Sequence, residues 1–323
     1  MAGQTGGPPL PRARGEISEA VVDHLRGSGP LPGPAQADAA DPYGDDLQLA
    51  LYLCYELHYR GFEGVDPALE WDPGLLSVRA GLERSFESAL RRDVPPGAAL
   101  DDTLEDLLVE PVEGTGVSHF LQEHATRDRL RAYAAQRSLY HLKEADPHAW
   151  VLPRLSGRAK AGMAAIEYDE FGAGRAERVH ARLFADLMAD LGLETAYGHY
   201  LDDGHAEMLA LVNLMSLFGL HRRLRGSLIG HFAAVEITSS PASGRLALAM
   251  KRAGAGPAAE FFYTEHVEAD AVHEQVVRHD VVRGLLDDEP GLEADVVFGI
   301  DATGFLEDRL GARFLTDWGA AAA

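Results

Sequence analysis

The stretch 261–275, FFYTEHVEADAVHEQ, carries the most specific pattern in the chain. His266, Asp270 and His273 are spaced i, i+4 and i+7, so an α-helix would place their side chains on one face. The two histidines would then lie roughly 10 Å apart along the axis, too far apart for one ion on a straight helix. Two ions could take one histidine each, with the carboxylate available to either. The alternative is a solvated helix face in an acidic protein.

The composition limits the class of protein. The 323 residues are 46% hydrophobic, enough for a sizeable core, and carry a net charge of -22 from 51 acidic and 29 basic residues. Because such a surface repels nucleic acid and anionic lipid, neither is expected as a partner. The single cysteine, Cys54, excludes an intramolecular disulfide and a cysteine-based metal site, and it is expected to be a buried inert thiol.

Targeting signals are not evident in the sequence. The N-terminus has basic residues but no apolar core of a signal peptide. No stretch reaches the about 18 uninterrupted apolar residues that a membrane span needs. We therefore expect a soluble, cytoplasmic protein with no membrane partner.

Composition along the chain predicts three regions. Residues 1–44 are rich in Gly, Pro and Ala and predict a flexible leader, with one short amphipathic helix over 15–26. Residues 45–115 are expected to form an N-terminal helical extension, and residues 116–323 the main bundle. Helical periodicity dominates from residue 45 onward, and no period-2 alternation is evident, so the predicted fold class is all-α.

Breaks between the helices are predicted from glycine and proline. Pro147 fits the first turn of a helix running toward Glu170. The apolar segment 207–241 predicts one or two buried helices with a kink near Gly226 or Gly230. Further helices are predicted over residues 45–61, 75–94, 101–110, about 126–146 and 175–192.

Carboxylates elsewhere in the chain are candidate ligands. Glu177 and His180 form a Glu-x-x-His pair, a pattern by which helical bundles hold di-iron sites, but no second pair lies on a matching long helix. Glu236 lies in the apolar run HFAAVEITSS, where a buried carboxylate needs a partner or a metal. Its alternative is an ion pair with Arg222 or Arg225.

Other polar residues have structural explanations. Glu144 precedes a helix start and Glu170 ends an acidic run, so capping and solvation would account for each taken singly. Glu56 and His58 are two residues apart and therefore point to different helix faces, which favours a core or interface role. Lys143 and Arg154 are expected to pair with acidic residues rather than with a substrate.

Four motifs together resemble a known family. They read LKEADPHAWVLPRL, IEYDEFGAGRAERVHARLF, AAVEITSS and EHVEADAVHEQ. This set is similar to the heme-oxygenase-like di-iron oxidases and oxygenases, a branch of the seven-helix TenA-like fold. The resemblance covers roughly residues 120–315, and the preceding part looks like an extension of longer members. The sequence FGAGR departs from the glycine triplet of the family.

The resemblance implies a di-iron site with dioxygen as co-substrate. Two iron ions, Fe(II) or Fe(III), would be bound, with manganese as the alternative because oxygen and nitrogen ligands suit both metals. A Glu-x-x-His member would use Glu177 instead of Glu170, so this choice stays open. The implied ligands, which act in catalysis through the metals, are Glu144, Glu170, His180, Glu236, His266, Asp270 and His273.

The function that the resemblance implies is a non-haem di-iron oxidase or oxygenase. Its expected substrate is a small, amino-acid-like molecule, and its expected reactions are N-oxygenation, oxidative decarboxylation or C–C cleavage in natural-product biosynthesis. Members are commonly dimers, so a homodimer is expected. Two alternatives stay open: a metal-independent TenA-like enzyme of cofactor biosynthesis, and an iron-binding protein without turnover.

Overall fold

The computed structural model of the protein describes residues 7–109 and 114–320. The start of the expected leader, 1–6, and residues 110–113 of the expected extension lie outside this range. Every regular element in the described part is a helix, which confirms the all-α class. None of these helices combines the length and the apolar character that crossing a membrane requires.

The N-terminal region is helical and packed. Its helices are α1 (Glu16–Leu25), α2 (Pro34–Ala39), α3 (Asp45–Glu56), α4 (Pro73–Asp93), α5 (Leu100–Leu108) and α6 (Val117–His124). The amphipathic helix expected over 15–26 corresponds to α1, which packs against α3 through Val21, Val22 and Leu25. Helix α3 is buried along most of its length and contacts α4 and the later helix α11 (Ala206–Leu220).

The C-terminal region forms the main bundle. Its helices are α7 (Arg127–His141), α8 (Asp146–Ala149), α9 (Gly157–Glu170), α10 (His180–Asp190), α11 (Ala206–Leu220), α12 (Arg225–Arg252), α13 (Pro257–Val276), α14 (Arg283–Asp288) and α15 (Glu293–Asp317). Helix α12 is central, because α13 and α15 both pack along it. A single π-helical turn, Val277–Val282, joins α13 to α14.

The predicted kink near Gly226 or Gly230 is wrong. The chain breaks earlier, at residues 221–224, and α12 then runs through both glycines and through Pro241. A Cβ atom at Gly230 would collide with the backbone carbonyl of Val296 on α15. The glycine therefore serves close packing of two helices rather than a bend.

The single helix predicted from Pro147 to Glu170 is also wrong. Helix α8 ends at Ala149, and α9 begins only at Gly157, whose φ of 50° lies in the left-handed region. The helix predicted over 175–192 likewise begins later, at His180. Short 3-10 turns precede it, and Ala173 among them has a φ of 52°.

Candidate metal centre

The seven predicted ligands come together in the interior of the bundle. Five structural segments contribute them, so residues distant in sequence become neighbours. Six of the seven are buried, and the side chain of Glu144 is 12% exposed. They are Glu144 in the turn after α7, Glu170 at the end of α9, His180 at the start of α10, Glu236 in α12, and His266, Asp270 and His273 in α13.

The side chains form two groups, each able to hold one ion. In the first group, Glu144, His180 and His266 offer one ligand atom each, all within 4.8 Å of one another. In the second group, Glu170, Glu236 and His273 do the same. The two histidines of α13 thus belong to different groups. Two groups of mixed oxygen and nitrogen ligands have the composition of a dinuclear carboxylate site.

Glu170 lies between the two groups. Its Oε2 atom is 2.8 Å from Nδ1 of His180 in the first group, and its Oε1 atom is 3.8 Å from Nδ1 of His273 in the second. The carboxylate of Glu170 therefore has one oxygen facing each group. Glu177, the alternative ligand, is exposed on the 3-10 turn Ala176–Arg178 and belongs to neither group.

Asp270 borders the second group. Its Oδ1 atom is 3.7 Å from Nδ1 of His273, and its Oδ2 atom accepts a 2.6 Å hydrogen bond from the hydroxyl of Ser239. The Nδ1–H of His273 in turn donates to Glu236 over 3.0 Å. The alternative partners of Glu236, Arg222 and Arg225, do not contact it among the described residues, and Arg225 pairs with Glu289.

His266 has the orientation of a metal ligand. Its Nδ1–H donates to the carbonyl of Phe262 over 2.6 Å, which leaves Nε2 as the unprotonated nitrogen. This Nε2 atom is buried and has no hydrogen-bond partner among the described residues. Burial, with the charge of His180, lowers the pKa of His266 to about 4. A neutral imidazole with a fixed tautomer and a free nitrogen is what a metal ion requires.

Glu144 sits on an irregular turn. Helix α7 ends at His141, and Ala145, just after Glu144, has a φ of 73° and is buried. The Nδ1–H of His141 donates to Glu144 over 3.0 Å. Burial opposes the charge of Glu144, but His141, His266 and His180 outweigh it and lower its pKa to about 2.

The remaining carboxyl and imidazole groups of the site shift the pKa values of one another. Burial, together with neighbouring carboxylates, raises the pKa of Glu236 and brings that of Asp270 to about 8. For His180 and His273, burial disfavours the charge, but carboxylates led by Glu170 and by Glu236 respectively outweigh it and raise each pKa to about 9. Without a cation, these groups hold protons to offset their mutual repulsion. Bound divalent ions would replace those protons, so the residues fit a metal centre.

One buried acid was not recognised in the sequence. Glu167 is 2% exposed, one helical turn before Glu170, and neither of its carboxyl oxygens has a hydrogen-bond partner in the described structure. Burial and the charges of Glu170 and Glu236 raise its pKa to about 9. Glu167 belongs to the acidic run that Glu170 ends, where solvation is the ordinary expectation. Its i, i+4 spacing from the apolar residue Met163 is the signal in the sequence that places it on the buried face of α9.

A cavity of about 640 Å³ opens onto the ligands. Glu144, His266 and Asp270 line it together with Glu170 and Glu236. Its wall contains Tyr133, Tyr140, Tyr263 and the ion pair of Arg137 with Glu307, in which two guanidinium nitrogens donate over 2.9 Å and 2.7 Å. The cavity therefore combines access to the site with polar and aromatic surface.

The polar residues for which the sequence analysis favoured a structural role have partners of different kinds. Glu56 of the N-terminal region forms an ion pair with Lys143, and His58 forms a hydrogen bond with Glu70. Lys143 thus has the acidic partner expected of it. Arg154 does not: its guanidinium donates to the backbone carbonyls of Gly219 and Leu220 at the end of α11.

Comparison with known proteins identifies the family. A helical bundle with carboxylate and histidine groups at its centre has the heme-oxygenase-like fold. The model of a family described as iron-containing redox enzymes matches residues 131–307, which include all seven predicted ligands. The chain belongs to this iron-containing redox enzyme family, and that membership supports an iron-dependent oxidoreductase. The comparison with curated proteins finds no match.

Proposed function

We propose that the protein is a non-haem di-iron oxidase or oxygenase that uses dioxygen to oxidise a small molecule. The observation that carries this proposal is Glu170, whose two oxygens face two separate ligand groups. A bound pair of iron ions would supply the one-electron chemistry with dioxygen that side chains lack. Since iron belongs to the family, the dinuclear arrangement is the step that we add.

The seven predicted ligands would bind two ions. Glu144, His180 and His266 would hold one ion, and Glu236, Asp270 and His273 the other, with Glu170 between them. Hydrogen bonds from outside the groups would orient the ligands. Ser239 holds Asp270, and the carbonyl of Phe262 holds the ring of His266. Such contacts fix the direction of each lone pair before the ion arrives.

The cavity supports an amino-acid-like substrate. Its volume of about 640 Å³ suits a small molecule. The wall presents a cation and an anion side by side in Arg137 and Glu307, and a zwitterion has complementary charges. Tyrosine rings would pack against an aliphatic or aromatic side chain. We propose N-oxygenation, oxidative decarboxylation or C–C cleavage as the reaction type, because each uses dioxygen on such a molecule.

Metal stoichiometry tests the dinuclear proposal. We expect two Fe(II) per chain after anaerobic loading, and about one after His266→Ala or His273→Ala. Glu170→Gln should lower the affinity for both ions, because its oxygens face both groups. Glu177→Gln is the matched control and should bind as the wild type does. Unchanged metal content in both histidine variants would favour the metal-independent enzyme instead.

Oxygen consumption separates an oxidase from an iron-binding protein. The loaded protein is mixed with oxygenated buffer, with and without a panel of amino acids, and oxygen uptake is followed with an electrode. We expect at least one amino acid to accelerate the uptake and to be converted to an oxidised product. Two bound irons without such acceleration by any small molecule would leave iron binding without turnover as the better explanation.

A further inference from the structure

We propose that Glu56, at the end of α3, is a positioning residue for the metal ligand Glu144 and acts through Lys143. This inference rests on the proposed di-iron function and adds to it a role for the N-terminal region. Glu56 lies outside residues 131–307, where the family model matches. A ligand of the first group would then depend on a part of the chain that the family match does not include.

The contact between the two regions is a buried ion pair. The Nζ atom of Lys143 lies 2.5 Å from Oε2 of Glu56, and the two residues are 1% and 0% exposed. The hydroxyl of Tyr197 donates to both oxygens of Glu56 over 2.9 Å. The carboxylate is therefore fully occupied, and both partners are held in one geometry.

Aromatic rings enclose the ammonium group. The Nζ atom of Lys143 lies 4.7 Å from the ring centre of Tyr52 and 4.3 Å from that of Tyr59. Both tyrosines belong to the N-terminal region, on α3 and just beyond it. Cation–π attraction adds to the ion pair in such a desolvated place. The N-terminal region thus fixes the side chain of Lys143 from several directions.

A second contact holds the same turn through its backbone. The guanidinium of Arg60 donates to the carbonyl of Leu142 over 3.4 Å and lies 4.0 Å from the ring centre of Tyr197. Leu142 and Lys143 are the two residues before Glu144. The N-terminal region therefore contacts both residues that precede Glu144, Leu142 through its backbone and Lys143 through its side chain.

The turn itself requires such support. Between α7 and α8 the backbone is not helical, and Ala145, next to Glu144, has φ 73° and ψ -41°. A residue with a Cβ atom adopts this conformation only at a cost, and surrounding contacts must hold it there. Because the ion pair and the Arg60 contact lie immediately before Glu144, loss of either would let the turn relax and move the ligand.

The test uses a variant that removes the ion pair without leaving an unpaired charge. In Glu56→Met/Lys143→Met, two side chains of similar length replace the pair, a change that buried ion pairs often tolerate. Mn(II) is the probe: equilibrium titration gives affinity and stoichiometry, and electron paramagnetic resonance separates a coupled pair of ions from a single ion. We expect the first-group affinity to fall at least tenfold and the second-group affinity to stay within twofold.

A milder variant, a control and a reference separate a metal-binding effect from a failure to fold. Tyr197→Phe removes both hydrogen bonds to Glu56 but no charge. We expect a selective first-group loss of about threefold, smaller than in the double variant, because Glu56 keeps its ion pair with Lys143. Glu289→Gln breaks the remote ion pair with Arg225 and is the matched control, with binding expected to equal that of the wild type. Glu144→Ala defines the signal of a missing first group. Thermal denaturation checks that each variant is folded.

The outcomes separate this inference from the function on which it rests. Selective loss of the first ion in the double variant or in Tyr197→Phe supports the positioning role. Equal weakening of both ions, or unchanged binding in a folded variant, overturns it and leaves the di-iron proposal intact. A wild-type protein that binds no coupled pair of ions overturns both.

Discussion

At the scale of single residues, hydrogen bonds from outside the two ligand groups orient the side chains that we propose to bind metal. The sequence pattern predicted that His266 and Asp270 share a helix face, but it did not identify their hydrogen-bond partners. His266 donates to the Phe262 carbonyl one turn earlier on α13, and Asp270 accepts from the Ser239 hydroxyl on α12. Side chains that hold a ligand typically contribute 10–100-fold in metal affinity.

Ser239→Ala should therefore weaken metal binding at the second group. Loss of the hydroxyl frees Oδ2 of Asp270 and leaves its direction undefined, so we expect roughly a tenfold rise in the Kd for the second ion. Ser240→Ala is the matched control, because the hydroxyl of Ser240 donates to the carbonyl of Val267 instead. Anaerobic Fe(II) titration of both variants checks the prediction, and equal affinities in the two would contradict it.

Two buried histidines make stability depend on pH. The ring centres of His148 and His231 are 5.3 Å apart, and burial is the main cause that lowers the pKa of each, to about 4 for His148. The unfolded chain then binds more protons than the folded one between pH about 6.5 and about 4. Stability is therefore complete above this range and is lost as the pH falls through it.

His148→Gln should remove part of this acid sensitivity. The glutamine does not titrate, so the free energy of unfolding should fall by roughly 2 kcal/mol less between pH 7 and pH 5 than in the wild type. Urea denaturation at both pH values measures the difference. His124→Gln, at an exposed histidine, is the control and should keep the wild-type dependence. A His148 variant with unchanged dependence would show that the ring is accessible to protons in the folded state.

At the scale of elements, periodicity predicted the helices well and their interruptions poorly. The expected starts at residues 45, 75 and 101 fall within two residues of α3, α4 and α5. The break after α7 was placed too late, the break before α9 was missed, and α10 begins five residues later than expected. The turn after α7 contains Ala145 at positive φ, and an alanine carries no turn signal in a sequence. Tertiary contacts hold this conformation, so no local pattern records it.

Ala145→Gly tests the strain in the turn after α7. Glycine adopts a φ of 73° without a steric penalty, so we expect stability to rise by up to about 1 kcal/mol rather than fall. Ala132→Gly, at an exposed position within α7, is the control and should lower stability by about 1 kcal/mol. Thermal denaturation compares the two. Equal destabilisation by both substitutions would mean that the turn stores no strain.

At the scale of the whole molecule, the predicted ligands connect parts of the chain that are far apart in sequence. They come from the turn after α7 and from α9, α10, α12 and α13. The sequence motifs were enough to predict the fold class and to name candidate residues that the structure brings together. They could not divide the candidate ligands into two groups or show the buried state of Glu167, because both depend on how the helices pack.

Metal removal should therefore loosen α13. An ion that binds only the folded arrangement stabilises it by about 2.7 kcal/mol at a concentration of 100 times its Kd. We expect amide hydrogen exchange over 261–275 to slow on anaerobic addition of Fe(II), since both groups use this segment. Residues 45–56 of α3, which supply no ligand, should change far less. Equal exchange rates over 261–275 with and without iron would contradict this expectation.

The buried position of Lys143 has a consequence for dissecting the protein. A shortened chain that started at residue 116 would lose Glu56, Tyr52 and Tyr59 and leave an ammonium group in an apolar interior with no counter-ion. Removing one partner of such a pair typically costs about 3–5 kcal/mol, a large share of the stability of an average domain. The family model matches residues 131–307 and so does not include Glu56, Tyr52 or Tyr59. We therefore expect a chain that starts at residue 116 to aggregate rather than to fold as a minimal enzyme.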